Sequence, residues 1–184
     1  MEHTAALQER LYEEMIGRLK QTDLTVPFRD GPYYYYSRTV EGQPYSIHCR
    51  KHDSLDAAEE IVLDVNALAA DHEYYRLTQR AVSPDHRRVA FLVDTTGYES
   101  VALYVKDLAT GAVTGPLRRD LSPWGLVWAN DNETIFFGRT DESKRTNRIY
   151  RHVLGTDVEE LVMREDDVRF RIGVSRSRSN EMIM

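Results

Sequence analysis

Val82-Ser83-Pro84-Asp85 and Trp128-Ala129-Asn130-Asp131 open two stretches that run in parallel at an offset of 46 positions, without a gap. The same offset carries Val89 to Ile135, Phe91 to Phe137, Leu103 to Ile149, Tyr104 to Tyr150, Leu108 to Leu154 and Thr110 to Thr156. A looser copy lies upstream, where Gly31-Pro32 leads into four tyrosines at 33–36 and a second run follows at 45–49. A unit of about 40 to 50 residues that recurs in this way, made of several short β runs, is the mark of a four-stranded propeller blade.

The texture within each unit agrees. Short runs rich in aromatic and β-branched residues occur at 33–36, 45–49, 60–63, 89–93, 101–105, 134–137, 149–153 and 161–163, the pattern of antiparallel strands. Asp85-His86-Arg87, Ala109-Thr110-Gly111, Asp131-Asn132 and Gly155-Thr156-Asp157 separate them with residues that supply turn geometry. Each unit reads as inner strand, Asx-type turn, second strand, loop, third strand, tight turn and outer strand. Ahead of the first unit, Leu7, Leu11, Met15 and Leu19, with Tyr12 and Ile16, make an apolar stripe at helical spacing that ends before Pro27. The expectation is an all-β chain: a partial β-propeller of about three four-stranded antiparallel blades preceded by one α-helix. The amphipathic helix falls within residues 1–22, the blades within 23–173, and 174–184 begin a truncated further blade. A propeller closes with at least about four blades, and an open ring leaves an unpaired edge. The chain is therefore expected to be a piece of a longer protein.

Composition narrows the function classes. With 41% hydrophobic residues, eleven Tyr, five Phe and two Trp, the chain can pack a core and is no disordered segment. Thirty acidic against 24 basic residues, net charge -6, argue against a nonspecific nucleic-acid binder. The single cysteine, Cys49, excludes an internal disulfide and an all-Cys zinc site. No apolar run approaches the roughly 18 residues of a spanning helix, and Met1 to Leu7 lack the basic start of a signal peptide. No membrane partner and a cytoplasmic location are expected.

Candidate chemistry is sparse. A nucleophile elbow needs Gly-x-Ser-x-Gly to expose a strained serine. Only Gly111 and Gly115 are four apart, with Val113 between them. His48 and His52 flank Cys49, but in a strand context the side chains alternate and need not converge on zinc. Glu165-Asp166-Asp167 reads as a solvated turn, and Ser175-Arg176-Ser177-Arg178-Ser179 as the start of a β unit. The tyrosine run reads as packing on two faces of a strand. No catalytic, cofactor or metal site is expected among these residues.

Taken together, Leu63-Asp64-Val65-Asn66 with Ala69, Val82-Ser83-Pro84-Asp85, Val127-Trp128-Ala129-Asn130-Asp131, Arg151-His152-Val153-Leu154-Gly155-Thr156 and Glu165-Asp166-Asp167 resemble, in order, the propeller of the prolyl oligopeptidase family of serine peptidases, oligopeptidase B type. The helix ending Ile16-Gly17-Arg18 is similar to the family's segment before its first blade. The resemblance implies a seven-bladed propeller that gates an α/β-hydrolase domain by substrate size. It also implies cleavage of short peptides after Arg or Lys by a serine, histidine and aspartate outside this chain. The expected partners are that hydrolase domain and, in the intact enzyme, short peptides. In antiparallel blades the second-to-third loops emerge beside the connection after the fourth strand. These loops, 94–100 and 141–146, look longer and more charged than the tight turns. Asp94, Tyr98, Glu99, Asp141, Lys144 and Arg145 in them are expected to face the hydrolase domain. The rival reading is a propeller scaffold that binds proteins and has no peptidase activity.

Overall fold

The structure, a computed structural model, describes residues 4–184. Met1-Glu2-His3, and the part of the leader and helix readings that falls on them, lie outside the described residues. The chain divides into two compact units, Met1–Ala70 and Asp71–Met184, built on three four-stranded antiparallel sheets, each a simple meander.

The first unit begins with helix α1 (Ala5–Gly17). Its stripe forms at helical spacing, yet none of its residues is buried. Strands β1 (Phe28–Asp30), β2 (Tyr33–Arg38), β3 (Ile47–His52) and β4 (Glu59–Asp64) follow in spatial order. The four tyrosines of β2 are absorbed by their own sheet. Tyr36 packs with Ile47 and Cys49 and donates to Glu59 at 2.6 Å. Tyr35 stacks on Phe28, and Tyr33 lies under the Arg50 guanidinium at 4.0 Å. Burial pushes the Tyr35 hydroxyl up to about 12. Helix α2 (Val65–Ala69) is started by Asp64, whose carboxylate accepts from the amides of Asn66 and Ala67. Asn66 in turn clamps both backbone groups of Tyr45 at 2.9 Å. The Leu63-Asp64-Val65-Asn66 string thus has a local reason: one residue caps the turn and another fastens a distant loop.

The second unit holds β5 (Arg76–Val82), β6 (Arg88–Asp94), β7 (Val101–Asp107) and β8 (Val113–Leu121) in one sheet. The next contains β9 (Leu126–Trp128), β10 (Thr134–Thr140), β11 (Thr146–Val153) and β12 (Glu159–Arg164). The 46-residue repeat is a repeat of contacts. Phe91 stacks on Tyr104 at 5.6 Å and Phe137 on Tyr150 at 6.3 Å. The Ser83 amide donates to the Arg88 carbonyl and the Ala129 amide to that of Thr134. The same first turn is reversed by His86 at φ 58° and by Asn132 at φ 62°. Leu108 donates to Arg87 as Leu154 does to Glu133.

Between these two sheets lies one core, in which Ala90, Leu92, Leu103 and Val105 meet Leu126, Trp128, Ile135 and Phe137. Directed bonds fix the seam. The Trp128 indole N–H donates to the Ala81 carbonyl at 2.8 Å, and the Leu126 amide to Gln79 at 3.1 Å. The Asp85 amide donates to the Asn132 side chain at 2.8 Å. Arg118 on β8 reaches Glu159 on β12 at 3.0 Å and the buried His152 ring at 3.0 Å. After β12 the chain turns once more: Ser177 donates to the Met182 carbonyl and Asn180 to that of Ser177, with Asn180 at φ 61°.

Candidate functional site

Neither glycine of the weak elbow pair sits on a strand-to-helix turn. Gly111 reverses β7 into β8 at φ 77°, and Gly115 lies in β8 against the Tyr104 ring, where a Cβ would come within 2.6 Å of a ring carbon. His48 hydrogen-bonds Ser37 at 2.7 Å, while His52 meets Asp53 at 2.9 Å and the edge of Tyr33. Cys49 between them is buried, and burial pushes its thiol up to about 11. Among the described residues, no group of three His, Cys, Asp or Glu could hold a metal ion. In the 165–167 turn, Asp166 pairs with Arg164 and Asp167 with Arg169 at 2.6 Å. Asn130 receives Arg176 of the Arg-Ser run.

The charged loops are the informative region, and the structure brings them together. Loop 95–100 is one residue longer than the tight turns 83–87, 108–112, 129–133 and 154–158, and loop 141–145 matches them in length. Asp94 is the last residue of β6 and Thr146 the first of β11, so the loops are a little shorter than the sequence reading has them. Their acidic residues organise them as Asp107 and Asp131 organise two of the tight turns. One oxygen of Asp94 accepts from the Thr96 amide and hydroxyl and from the Gly97 amide, the other from the Glu99 amide at 2.8 Å. Burial alone would raise this carboxyl, but the hydrogen bonds from Thr96, Glu99 and Gly97 together hold it below the usual range. Asp141 does the same work next door, accepting from the amides of Ser143 and Arg145 and from the Arg145 side chain at 2.8 Å. The Arg145 bond, above the smaller cost of burial, holds the Asp141 carboxyl low.

The six residues therefore divide. Asp94 and Arg145 are buried, at 1% and 8% exposure. Arg145 donates to the carbonyls of Asp167 at 2.6 Å and Phe170 at 2.7 Å, tying its loop to the segment after β12. Asp141 is held between this arginine and its own backbone. Tyr98, Glu99 and Lys144 are the outward members. The Lys144 ammonium donates to the Tyr98 carbonyl at 3.1 Å, joining the loops of adjacent sheets.

Around Lys144 lies a cavity of about 230 Å³, bounded by Glu99, Ser143, Pro123, Trp124 and Arg171. Trp124 and Arg171 are absent from the sequence reading. Trp124 sits in Ser-Pro-Trp-Gly between two strands, where an aromatic flanked by turn formers has no strand face to bury into, and that context is its signal. Arg171 has none. A wider hollow of about 610 Å³ beside loop 141–145 is lined by Arg148 and Arg164 among others. Both are spoken for, by the Thr140 carbonyl and by Asp166. No helix among the described residues is long and apolar enough to cross a membrane.

A family model for the N-terminal β-propeller domain of prolyl oligopeptidase matches residues 1–184. A dipeptidyl aminopeptidase BI from Pseudoxanthomonas mexicana is 36% identical over 96% of this chain, and a protease 2 from Moraxella lacunata 34% identical over 95%. The chain spans 27% and 26% of their respective lengths. Oligopeptidase B from Leishmania major superposes with a TM-score of 0.89 at 26% identity, over 98% of this chain and 26% of that one. The fold thus has its counterpart in a solved structure, and the chain belongs to the prolyl oligopeptidase family, as its N-terminal β-propeller domain.

Proposed function

We propose that this chain is the gating and size-filtering propeller of an oligopeptidase B-like serine endopeptidase that cleaves short peptides after Arg or Lys in the cytoplasm. The observation that carries this reading is the likeness to oligopeptidase B along the length of the chain. In the intact enzyme the serine, its histidine base and the oxyanion hole lie in an α/β-hydrolase domain beyond residue 184. Residues 174–184, whose turn repeats the hydrogen bonding at Ser83 and Ala129, begin a further blade. The outward loop residues Tyr98, Glu99 and Lys144 face the hydrolase domain, with Asp94, Asp141 and Arg145 holding their loops in shape. Glu99, whose carboxylate has no partner among the described residues, is available to a basic residue of that domain.

The test uses the polypeptide encoded by the whole reading frame. It is expected to hydrolyse benzoyl-Arg and benzoyl-Lys amides, to be stopped by a serine-directed reagent, and to discriminate against long peptides. Glu99→Ala is expected to alter turnover or size selection, while Thr156→Ala, on a turn at the opposite end of the sheet, leaves both unchanged. A frame that completes blades without a Gly-x-Ser-x-Gly motif, or a product inert towards these amides, defeats the peptidase reading. Identical behaviour of the two variants defeats the assignment of the face.

A further inference from the structure

Among the charged side chains of this unit that have no partner among the described residues, two line the same hollow. Arg171 makes no hydrogen bond or ion pair among the described residues, and neither does the carboxylate of Glu99. Both border the cavity of about 230 Å³. Lys144 lines the same cavity and spends one of its three ammonium protons on the Tyr98 carbonyl. The indole of Trp124, 63% exposed, forms another wall. Two cations with unspent donors, one carboxylate without a partner among the described residues and an exposed aromatic residue share this cavity.

The chemistry selects the occupant. Two cationic donor groups that converge on one space fit a carboxylate, which accepts from a guanidinium fork and an ammonium together. A dianionic phosphate is disfavoured by the Glu99 carboxylate in the same wall, whereas a peptide brings N–H donors that Glu99 can accept. The indole face suits the flat amide and aliphatic groups of a peptide. The volume is smaller than the roughly 300–1,000 Å³ of sites for drug-sized ligands, so it takes a chain end. We propose that this cavity, formed by loops 95–100 and 141–145, the 122–125 connection and Arg171, binds the free C-terminal carboxylate of a short peptide. The identity of the ligand rests on the peptidase reading above. A site for the free chain end would add a second criterion of length, since a cleavable peptide would be one whose terminus reaches the cavity.

The measurement needs no hydrolysis, so its failure is distinct from failure of the peptidase reading. The chain has two tryptophans, and Trp128 is 1% exposed. Iodide quenching and ligand titration of the emission therefore report Trp124. The 184-residue chain, held below the concentration at which its sedimentation coefficient begins to rise, is titrated with acetyl-Ala-Ala, with its C-terminal amide and with acetate. The expected result is a saturable change with the acid, at least tenfold weaker binding of the amide and of acetate, and protection of Trp124 from iodide. Lys144→Gln and Arg171→Gln, both at exposed side chains, are expected to keep the wild-type unfolding midpoint and to weaken the acid at least fivefold each. Trp124→Phe should abolish the signal, and calorimetry on that variant then reads binding directly. Equal affinity for acid and amide, acetate as good as the peptide, no saturable change by either method, or unaltered affinity in both Gln variants overturns the proposal.

Discussion

Asp94 is a single carboxylate that shapes a whole loop. With four donors on its two oxygens and 1% exposure, it replaces the water that Thr96, Gly97 and Glu99 would otherwise bind. Its folded value lies below its unfolded one, so it adds stability above the unfolded value, near pH 4, and loses it as pH falls through the folded value. Asp94→Asn keeps the shape but turns one acceptor into a donor, and is expected to cost about 1–3 kcal/mol at pH 7. That difference should start to shrink below about pH 4, where the carboxyl of the unfolded wild type protonates, and go on shrinking until the folded one protonates too. Denaturant unfolding of both proteins at pH 7 and pH 3 checks this, and an equal deficit at the two values would contradict it. The sequence shows a charged loop at this place. It does not show that one acid faces inward and the next outward, because the bonds that decide it are backbone amides that become available only when the loop has closed.

At the scale of the element, strands with an apolar run, such as β6 and β7, are legible from composition, and the 46-residue offset makes their partners legible too. Others are not. In β5, Arg76, Thr78 and Arg80 interrupt the pattern. In β8, Gly115-Pro116 and Arg118-Arg119-Asp120 look like loop, yet the sheet needs an outer strand there and β7 supplies the pairing. Arg145 shows the same limit at the site. A charged residue in a loop reads as solvated, but this one is a strut: its acceptors, the Asp167 and Phe170 carbonyls, lie 22 and 25 residues away. Arg145→Ala removes a buried charge from Asp141 and orphans two carbonyls. It is expected to destabilise the fold by about 3 kcal/mol. The unfolding midpoint measures this, and a value within about 0.5 kcal/mol of wild type, as for ordinary surface changes, would show the strut to be idle.

At the scale of the whole chain, the last strand leaves apolar groups in solvent. Leu161, Val162 and Met163 of β12 are 45%, 51% and 53% exposed, and Val168 and Phe170 beyond them more so. An edge strand with that composition recruits other strands. The 184-residue chain by itself is therefore expected to associate, with a sedimentation coefficient that rises over a micromolar concentration series. A concentration-independent monomer with one sharp unfolding transition would contradict this. The seam has a different consequence. Its bonds join Ala81 to Trp128, Gln79 to Leu126 and Asp85 to Asn132, each 47 residues apart, and Tyr98 to Lys144, 46 apart. Because the separation stays constant, the entropy of closing each new contact does not grow as the polypeptide lengthens. A blade leaving the ribosome finds its hydrogen-bond partners on the blade made just before it, so the order of synthesis can serve as the order of assembly.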